Sequence, residues 1–372
     1  MLLESTTLSI SINGAQHGYF NCNRGVRQGE PLSPLLFCIA EDVLSISISL
    51  LVEQGKISLI NSSRYHNIPS HIMYADDIMI FCKGKISSVE ALIDLFRRYA
   101  KCSGQCINPA KSTIFSGSIS RGRLEHLVNM LGFNSGNLPF NYLGVPIFKG
   151  KPKASHLQPI ADKIKTKLNS WQASFLSIAG RALLIKSVIH PMLTHSMAVY
   201  SWPKALLKDI DKWSRNFIWS GNTEIRKMVT VSWHKPCKPL EEGGLGIRSL
   251  VKLNEANNLK LSWEMLNSKQ PWAISLKDKV IKKRSPITYH VSSSIWSSIK
   301  SEYPIILENS SWLLGNGENI NFWSDNWCVV NIAECLNLHA NVSVNLSATV
   351  KDFIVDNSWH IPTTLQQTFP QL

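Results

Sequence analysis

Hydrophobic positions change their spacing near residue 150. Upstream, short alternating stretches mix with helical repeats; downstream, the helical repeat dominates. Ser9 to Asn13 alternates Ser and Ile, and Asn13-Gly14 is a hairpin-turn dipeptide, so a β-hairpin is expected there. Pro31 opens a long apolar segment to about Val52, expected as a buried helix with Pro near its first turn. His71 to Cys82 reads as two short strands around Asp76-Asp77. Ser87 to Cys102 places Val89, Leu92, Ile93 and Phe96 at helical spacing, with Gly104 as a stop signal.

From Ala154 the repeat is helical. Ile160, Ile164, Leu168, Trp171 and Phe175 share one face, and Lys163 and Lys167 share another. A second helix begins at Arg181 and is kinked or ended by Pro191. A third spans Leu206 to Trp219. Residues 221–250 are loop-rich, with Pro236, Pro239 and a Gly243-Gly244-Leu245-Gly246 run, before a helix over Lys252 to Leu266. Trp312 to Trp327 reads as a Trp-rich hairpin around Asn316-Gly317, and beyond Val330 the pattern fades.

The composition is globular, with 44% hydrophobic and 17% charged residues in 372. The net charge of +13 points to a polyanionic partner, nucleic acid before membrane. That charge is uneven: 13 Lys and Arg meet 10 acids in residues 1–150, against 26 and 16 in residues 151–372. Met1 is followed by Leu2, Leu3 and Glu4 without a basic n-region, so no signal peptide is expected. Glu41 and Asp42 interrupt the apolar segment, so no transmembrane segment is expected either. Eight cysteines without a C-x-x-C pair do not make a disulfide scaffold. Cys102 with Cys106, and His190 with His195, have loose ligand spacing, which buried or free side chains satisfy equally well. Nucleus or cytoplasm fits this usage.

Two local features carry candidate chemistry. Tyr74-Ala75-Asp76-Asp77 sets two adjacent carboxylates in an apolar segment. Like charges that close need a positive partner, and a hard divalent cation is a natural one. A polar hairpin tip is the alternative. The second feature, Arg24 to Pro34, joins two Arg, two Gly and a helix-opening Pro, so Arg27 and its neighbours suit phosphate beside a helix N-terminus. An ordinary loop before a helix has the same composition.

In their order these segments resemble the reverse transcriptases of non-LTR (LINE-type) retrotransposons, the plant elements in particular. Arg24 to Leu36 (RGVRQGEPLSPLL) resembles motif B, Tyr74 to Asp77 (YADD) the motif C metal site, Ser103 to Ser112 (SGQCINPAKS) motif D, and Tyr142 to Pro146 (YLGVP) the motif E primer grip. Ala179-Gly180-Arg181 resembles the thumb, and Glu242 to Gly246 with Trp312 to Trp327 the downstream segment of plant elements. The resemblance implies an α+β fold with a partial palm over residues 1–150. An α-helical thumb over 151–220 and a mixed, Trp-rich region over 221–372 follow. It implies nucleotidyl transfer from a dNTP to a primer 3′-hydroxyl on an RNA template, with Mg²⁺ or Mn²⁺. Asp76 and Asp77 are the implied metal carboxylates, and Lys111 the charge partner of departing pyrophosphate. Arg27, Gln28 and Gly29 line the nucleotide site; Tyr142, Leu143 and Gly144 hold the primer. Lys163, Lys167 and Arg181 are the expected contacts to the duplex, although lysines on a solvated helix face look the same.

The chain departs from the family in one respect. Motif A supplies a further metal carboxylate upstream of motif B, yet Glu4 is the sole acid before Arg24. Fingers, endonuclease and cysteine-rich tail are likewise outside the expected segments. The expectation is a polymerase fragment that does not polymerise by itself. The alternatives are a non-catalytic nucleic-acid-binding remnant and a decayed transposon product without function.

Overall fold

The computed structural model describes residues 7–21, 29–60, 68–171, 173–282, 285–328, 331–338, 346–356 and 358–368. They form a mixed α+β structure in two compact units, residues 1–138 and 139–372.

In the first unit, β1 (Thr7–Ile12) and β2 (Ala15–Asn21) form the expected hairpin. Asn13 and Gly14 both take positive φ, the conformation Asn-Gly adopts most cheaply. Helix α1 (Ser33–Glu53) runs as expected but is not a buried helix. Leu44, Ile48 and Leu51 are buried, each contributing about 1.5–3 kcal/mol of transfer free energy. Leu35, Ile39, Val43, Ile46 and Leu50 form a second apolar stripe at helical spacing, and that stripe is exposed. By length and composition alone α1 is also apolar enough to cross a membrane, with 21 residues and an 18-residue window of mean hydropathy 2.1 that holds Glu41 and Asp42. Its buried stripe instead packs on α2 (Ile86–Ser103) through Leu92 and Leu95. Gly104 ends α2 in the left-handed conformation.

β3 (His71–Tyr74) and β4 (Asp77–Ile80) make the second hairpin. A parallel pair absent from the sequence pattern follows: β5 (Thr113–Phe115) and β6 (Asn134–Gly136), joined by α3 (Arg121–Leu131).

The second unit opens with the hairpin β7 (Phe140–Tyr142) and β8 (Val145–Ile147). Helices α4 (Ala154–Ser170), α5 (Ile178–Leu184), α6 (His190–Met197) and α7 (Lys204–Ser220) enclose its main core, which includes Ile164, Leu168, Ile189 and Phe217. The expected face stops at Trp171, where α4 ends; Phe175 lies 84% exposed. A π-turn over Ile185–Ile189 links α5 to α6, so Pro191 follows a widened turn rather than ending the helix.

The glycine run is a tight backbone crossing. A Cβ on Gly244 would lie 2.1 Å from the Lys238 carbonyl oxygen, and the Gly246 N–H donates to that same oxygen at 2.9 Å. Next come α8 (Leu250–Asn267) and α9 (Pro271–Val280). On α8 a buried polar stripe reaches backward. Asn254 accepts from the Trp202 backbone N–H at 2.9 Å, and Asn258 donates to Ser201 Oγ at 3.0 Å. The Ser201 N–H donates to Ser298 Oγ at 3.1 Å. The expected Trp-rich hairpin over 312–327 is corrected: no strand forms there, and Phe322 and Trp323 instead pack with Phe353 in a separate small core.

Candidate functional site

Tyr74 pairs with Asp77, which leaves Ala75-Asp76 as a two-residue turn. Ala75 takes φ +50°, a left-handed conformation costing about 1–2 kcal/mol for a residue with a Cβ. Asp76 sits at the tip and Asp77 starts β4, both exposed. Below the tip the hairpin is anchored. Met73, Ile78 and Ile80 pack on the Leu44–Ile48–Leu92 core. The His71 ring lies between Ser45 Oγ (2.7 Å from Nε2) and Ser70 Oγ (2.8 Å from Nδ1), joining β3 to α1. Burial holds His71 below the usual imidazole range.

Ser33, Phe37, Glu41 and Ser45 recur every fourth residue on a third stripe of α1. With Gly29, Met73 and Ala75 they line a groove of about 1010 Å³. Glu41 is its notable side chain. The Tyr99 hydroxyl lies 3.2 Å from both Glu41 Oε1 and Gln105 Oε1. One hydroxyl carries one proton, so it donates to one acceptor at a time. Glu41 Oε2 is buried without a hydrogen-bond partner. Burial pushes the Glu41 carboxyl up, the Tyr99 bond pulls it down, and the nearby Asp76 charge pushes it up again. Ser103 Oγ donates to the Tyr99 carbonyl at 2.8 Å, tying the Ser103-Gly104-Gln105 turn to the same helix.

Gly29 is exposed at the groove with φ +90°, while Arg27 and Gln28 lie outside the described residues. Lys111 is exposed on a short 3₁₀ turn over Pro109–Lys111, where its backbone N–H donates to Asn108 Oδ1 at 3.3 Å. Tyr142, Leu143 and Gly144 belong to the second unit. Leu143 (φ +48°) and Gly144 (φ +78°) form the turn of the β7–β8 hairpin. Lys163 and Lys167 are exposed one turn apart on α4. Between them in sequence, Lys165 pairs with Glu224 at 2.6 Å and lies 5.3 Å from the Trp213 ring. Arg181 is different. Its Nε donates to the Ala173 carbonyl at 3.0 Å and its Nη1 to the Ile218 carbonyl at 3.1 Å, so the guanidinium caps the chain's own backbone.

Among the described residues no group of three or more His, Cys, Asp or Glu side chains is placed to hold a metal. Asp76 and Asp77 are hard oxygen donors of the right kind for Mg²⁺ or Mn²⁺, but two carboxylates do not complete such a centre. The loose zinc spacings do not converge. His190 is buried and pushed down to about 4 by burial, Arg248 and Lys186, while His195 Nε2 lies 2.8 Å from the Leu143 carbonyl oxygen. Cys102 and Cys106 are free and exposed. Sequence reasoning missed Glu41, His71, Tyr99 and His195 as working residues. Glu41 was visible as an acid inside an apolar helix, and His195 as a loose ligand spacing with His190.

Residues 2–147 match the reverse transcriptase (RNA-dependent DNA polymerase) family. A putative ribonuclease H protein of Arabidopsis thaliana is 31% identical over 190 residues, 49% of this chain and 31% of that protein. The uncharacterised 149 kDa protein of transposon TX1 from Xenopus laevis is 24% identical over 255 residues, 66% of this chain and 18% of that protein. A Pol polyprotein from a type-2 retrotransposable element of Drosophila melanogaster is 24% identical over 280 residues, 69% of this chain and 24% of that protein. The chain thus spans about a third or less of the length of these relatives. The match to the reverse transcriptase family over residues 2–147 lies within a longer stretch similar to retrotransposon proteins.

Proposed function

We propose that this chain is the palm-and-thumb part of an RNA-directed DNA polymerase of a plant LINE-type element, and that it does not polymerise DNA by itself. The observation that carries this reading is the groove between α1 and the β3–β4 hairpin, open at Gly29 and flanked by the Asp76-Asp77 tip. In the completed enzyme that groove takes the dNTP and the templating base, and Gly29, with its neighbours Arg27 and Gln28 in sequence, serves nucleotide binding. Lys111 offers its ammonium to the departing pyrophosphate. Tyr142, Leu143 and Gly144 hold the primer end. Lys163 and Lys167 on the outer face of α4 track phosphates of an RNA–DNA duplex, whereas Arg181 braces the helices instead.

Inactivity follows from the count of carboxylates. No Asp precedes Arg24 in this chain, so the metal site needs a carboxylate from outside it. The exposed stripe of α1 fits the same picture, as an apolar face of this extent is ordinarily covered. The test is twofold. The purified chain should bind an RNA–DNA template–primer with steep salt dependence, and replacing Lys163 and Lys167 by Ala should shallow the log–log slope by about 2. It should extend no primer in Mg²⁺ or Mn²⁺; extension abolished by Asp76→Ala would refute the inactivity.

A further inference from the structure

The tip of the β7–β8 hairpin is built at a conformational cost. Asn13-Gly14 shows the dipeptide that suits such a turn; at Leu143-Gly144 a bulky residue takes φ +48° instead. The β7–β8 hairpin is three residues long on each side, and isolated two-stranded pairs of that size are marginal in water. Something beyond the ladder has to hold it.

The support comes from the helices after it. Val145 and Phe148 are buried against Tyr200, and Phe148 stacks on His156 with ring centroids 4.2 Å apart. These contacts seat β8 from Val145 beside the turn to Phe148 past its end, and they do not reach the Leu143-Gly144 peptide itself. His195 supplies the tip contact. It projects from α6, five residues before Tyr200, and its Nε2 lies 2.8 Å from the Leu143 carbonyl oxygen. A Cβ on Gly144 would lie 3.9 Å from the same ring, so the imidazole rests against the turn as well as bonding it. An imidazole N–H to a carbonyl is a directional contact, and here it holds the central Leu143–Gly144 peptide of the turn, fixing Leu143 ψ and Gly144 φ together.

We propose that His195 is the positioning residue of the primer-holding hairpin. Its hydrogen bond to the Leu143 carbonyl sets the Leu143-Gly144 tip against the terminal nucleotide of the primer strand. The contact with the primer rests on the polymerase reading above; the clamp on the tip does not. His195 touches no substrate and acts through the turn.

The test is a cross-linking measurement on the full chain, using an RNA–DNA duplex with 4-thiothymidine at the primer 3′ end. Duplex affinity is read in parallel by fluorescence anisotropy. The wild-type chain should cross-link within residues 140–147. His195→Ala should lower that yield about five-fold, the fold-change of one net hydrogen bond, without changing duplex affinity. His195→Gln, which keeps an N–H donor at similar reach, should restore it. Undiminished cross-linking in His195→Ala would overturn the proposal, as would a wild-type cross-link that maps elsewhere. A wild-type chain that binds no duplex would refute the polymerase reading. Amide exchange at Gly144 and Val145 in the free chain then decides the clamp: faster exchange in His195→Ala supports it, and equal exchange overturns it.

Discussion

Asp211 stands on α7 with its carboxyl buried, and burial pushes it up from 3.8 to about 6 against the pull of the Trp233 indole, Arg215 and the Leu250 backbone N–H. A carboxyl raised in the folded state binds a proton that the unfolded chain has already released. Between about pH 4 and pH 6 the native state is therefore the more protonated one, and this group lowers stability as pH rises. A shift from 3.8 to about 6 corresponds to a penalty of about 3 kcal/mol, in full force above pH 6 and absent below pH 4. Asp211→Asn keeps the shape and an acceptor oxygen but never ionises. The variant should match the wild type near pH 4, gain on it between about pH 4 and pH 6, and hold a lead of about 2–3 kcal/mol from there to pH 7.5. Urea unfolding followed by tryptophan fluorescence reads this unit alone, since all 12 tryptophans lie at position 171 or later. A variant less stable at pH 7.5, or a difference that does not change with pH, would refute the reasoning.

His190 should show the opposite slope. Its imidazole is held near 4, so the unfolded chain takes up the proton first and stability falls as pH drops from about 6.5 toward 4; His190→Gln should flatten that limb in the same titration. Leu44→Ala opens a cavity between α1 and α2 and should destabilise the first unit by about 2–5 kcal/mol, seen as faster amide exchange across both helices. Gly244→Ala drives a Cβ into the Lys238 carbonyl, and since backbone cannot swing aside it should lower the thermal midpoint well beyond Gly243→Ala, whose Cβ meets nothing. Asn254→Ala leaves the Trp202 N–H buried without its acceptor and should cost about 1–3 kcal/mol in urea unfolding.

Local chemistry explains which elements were legible in advance. The Asn13-Gly14 turn, the strands around Asp76-Asp77, the stop at Gly104 and the helices over 204–220 and 250–267 each carry their own signal. Hydropathy could not separate the two apolar stripes of α1, because Leu44 and Ile46 read alike until a partner covers one of them. The β5–β6 pair is three residues long with a helix between, too short to show alternation. Trp312 to Trp327 has a hairpin's turn residues, but its rings pack side by side in a small core, which alternation does not describe. At the site, the YADD tip was readable as residues. Arg181 and His195 were not, since their roles are set by carbonyls 37 and 52 residues away in the chain.

The near-total reliance on two-stranded pairs has a kinetic meaning. β1–β2, β3–β4 and β7–β8 each close over two residues, a microsecond event that demands little of the rest of the chain. The expensive closures are elsewhere. The Ser201 amide finds its partner at Ser298, 97 residues on, and the Trp202 amide finds Asn254. During synthesis the helices around Leu193, Leu207 and Phe217 emerge well before those acceptors do. For that interval the backbone at Ser201-Trp202 is left to water, and the growing chain is open there to chaperones and proteases until Ser298 has cleared the ribosome.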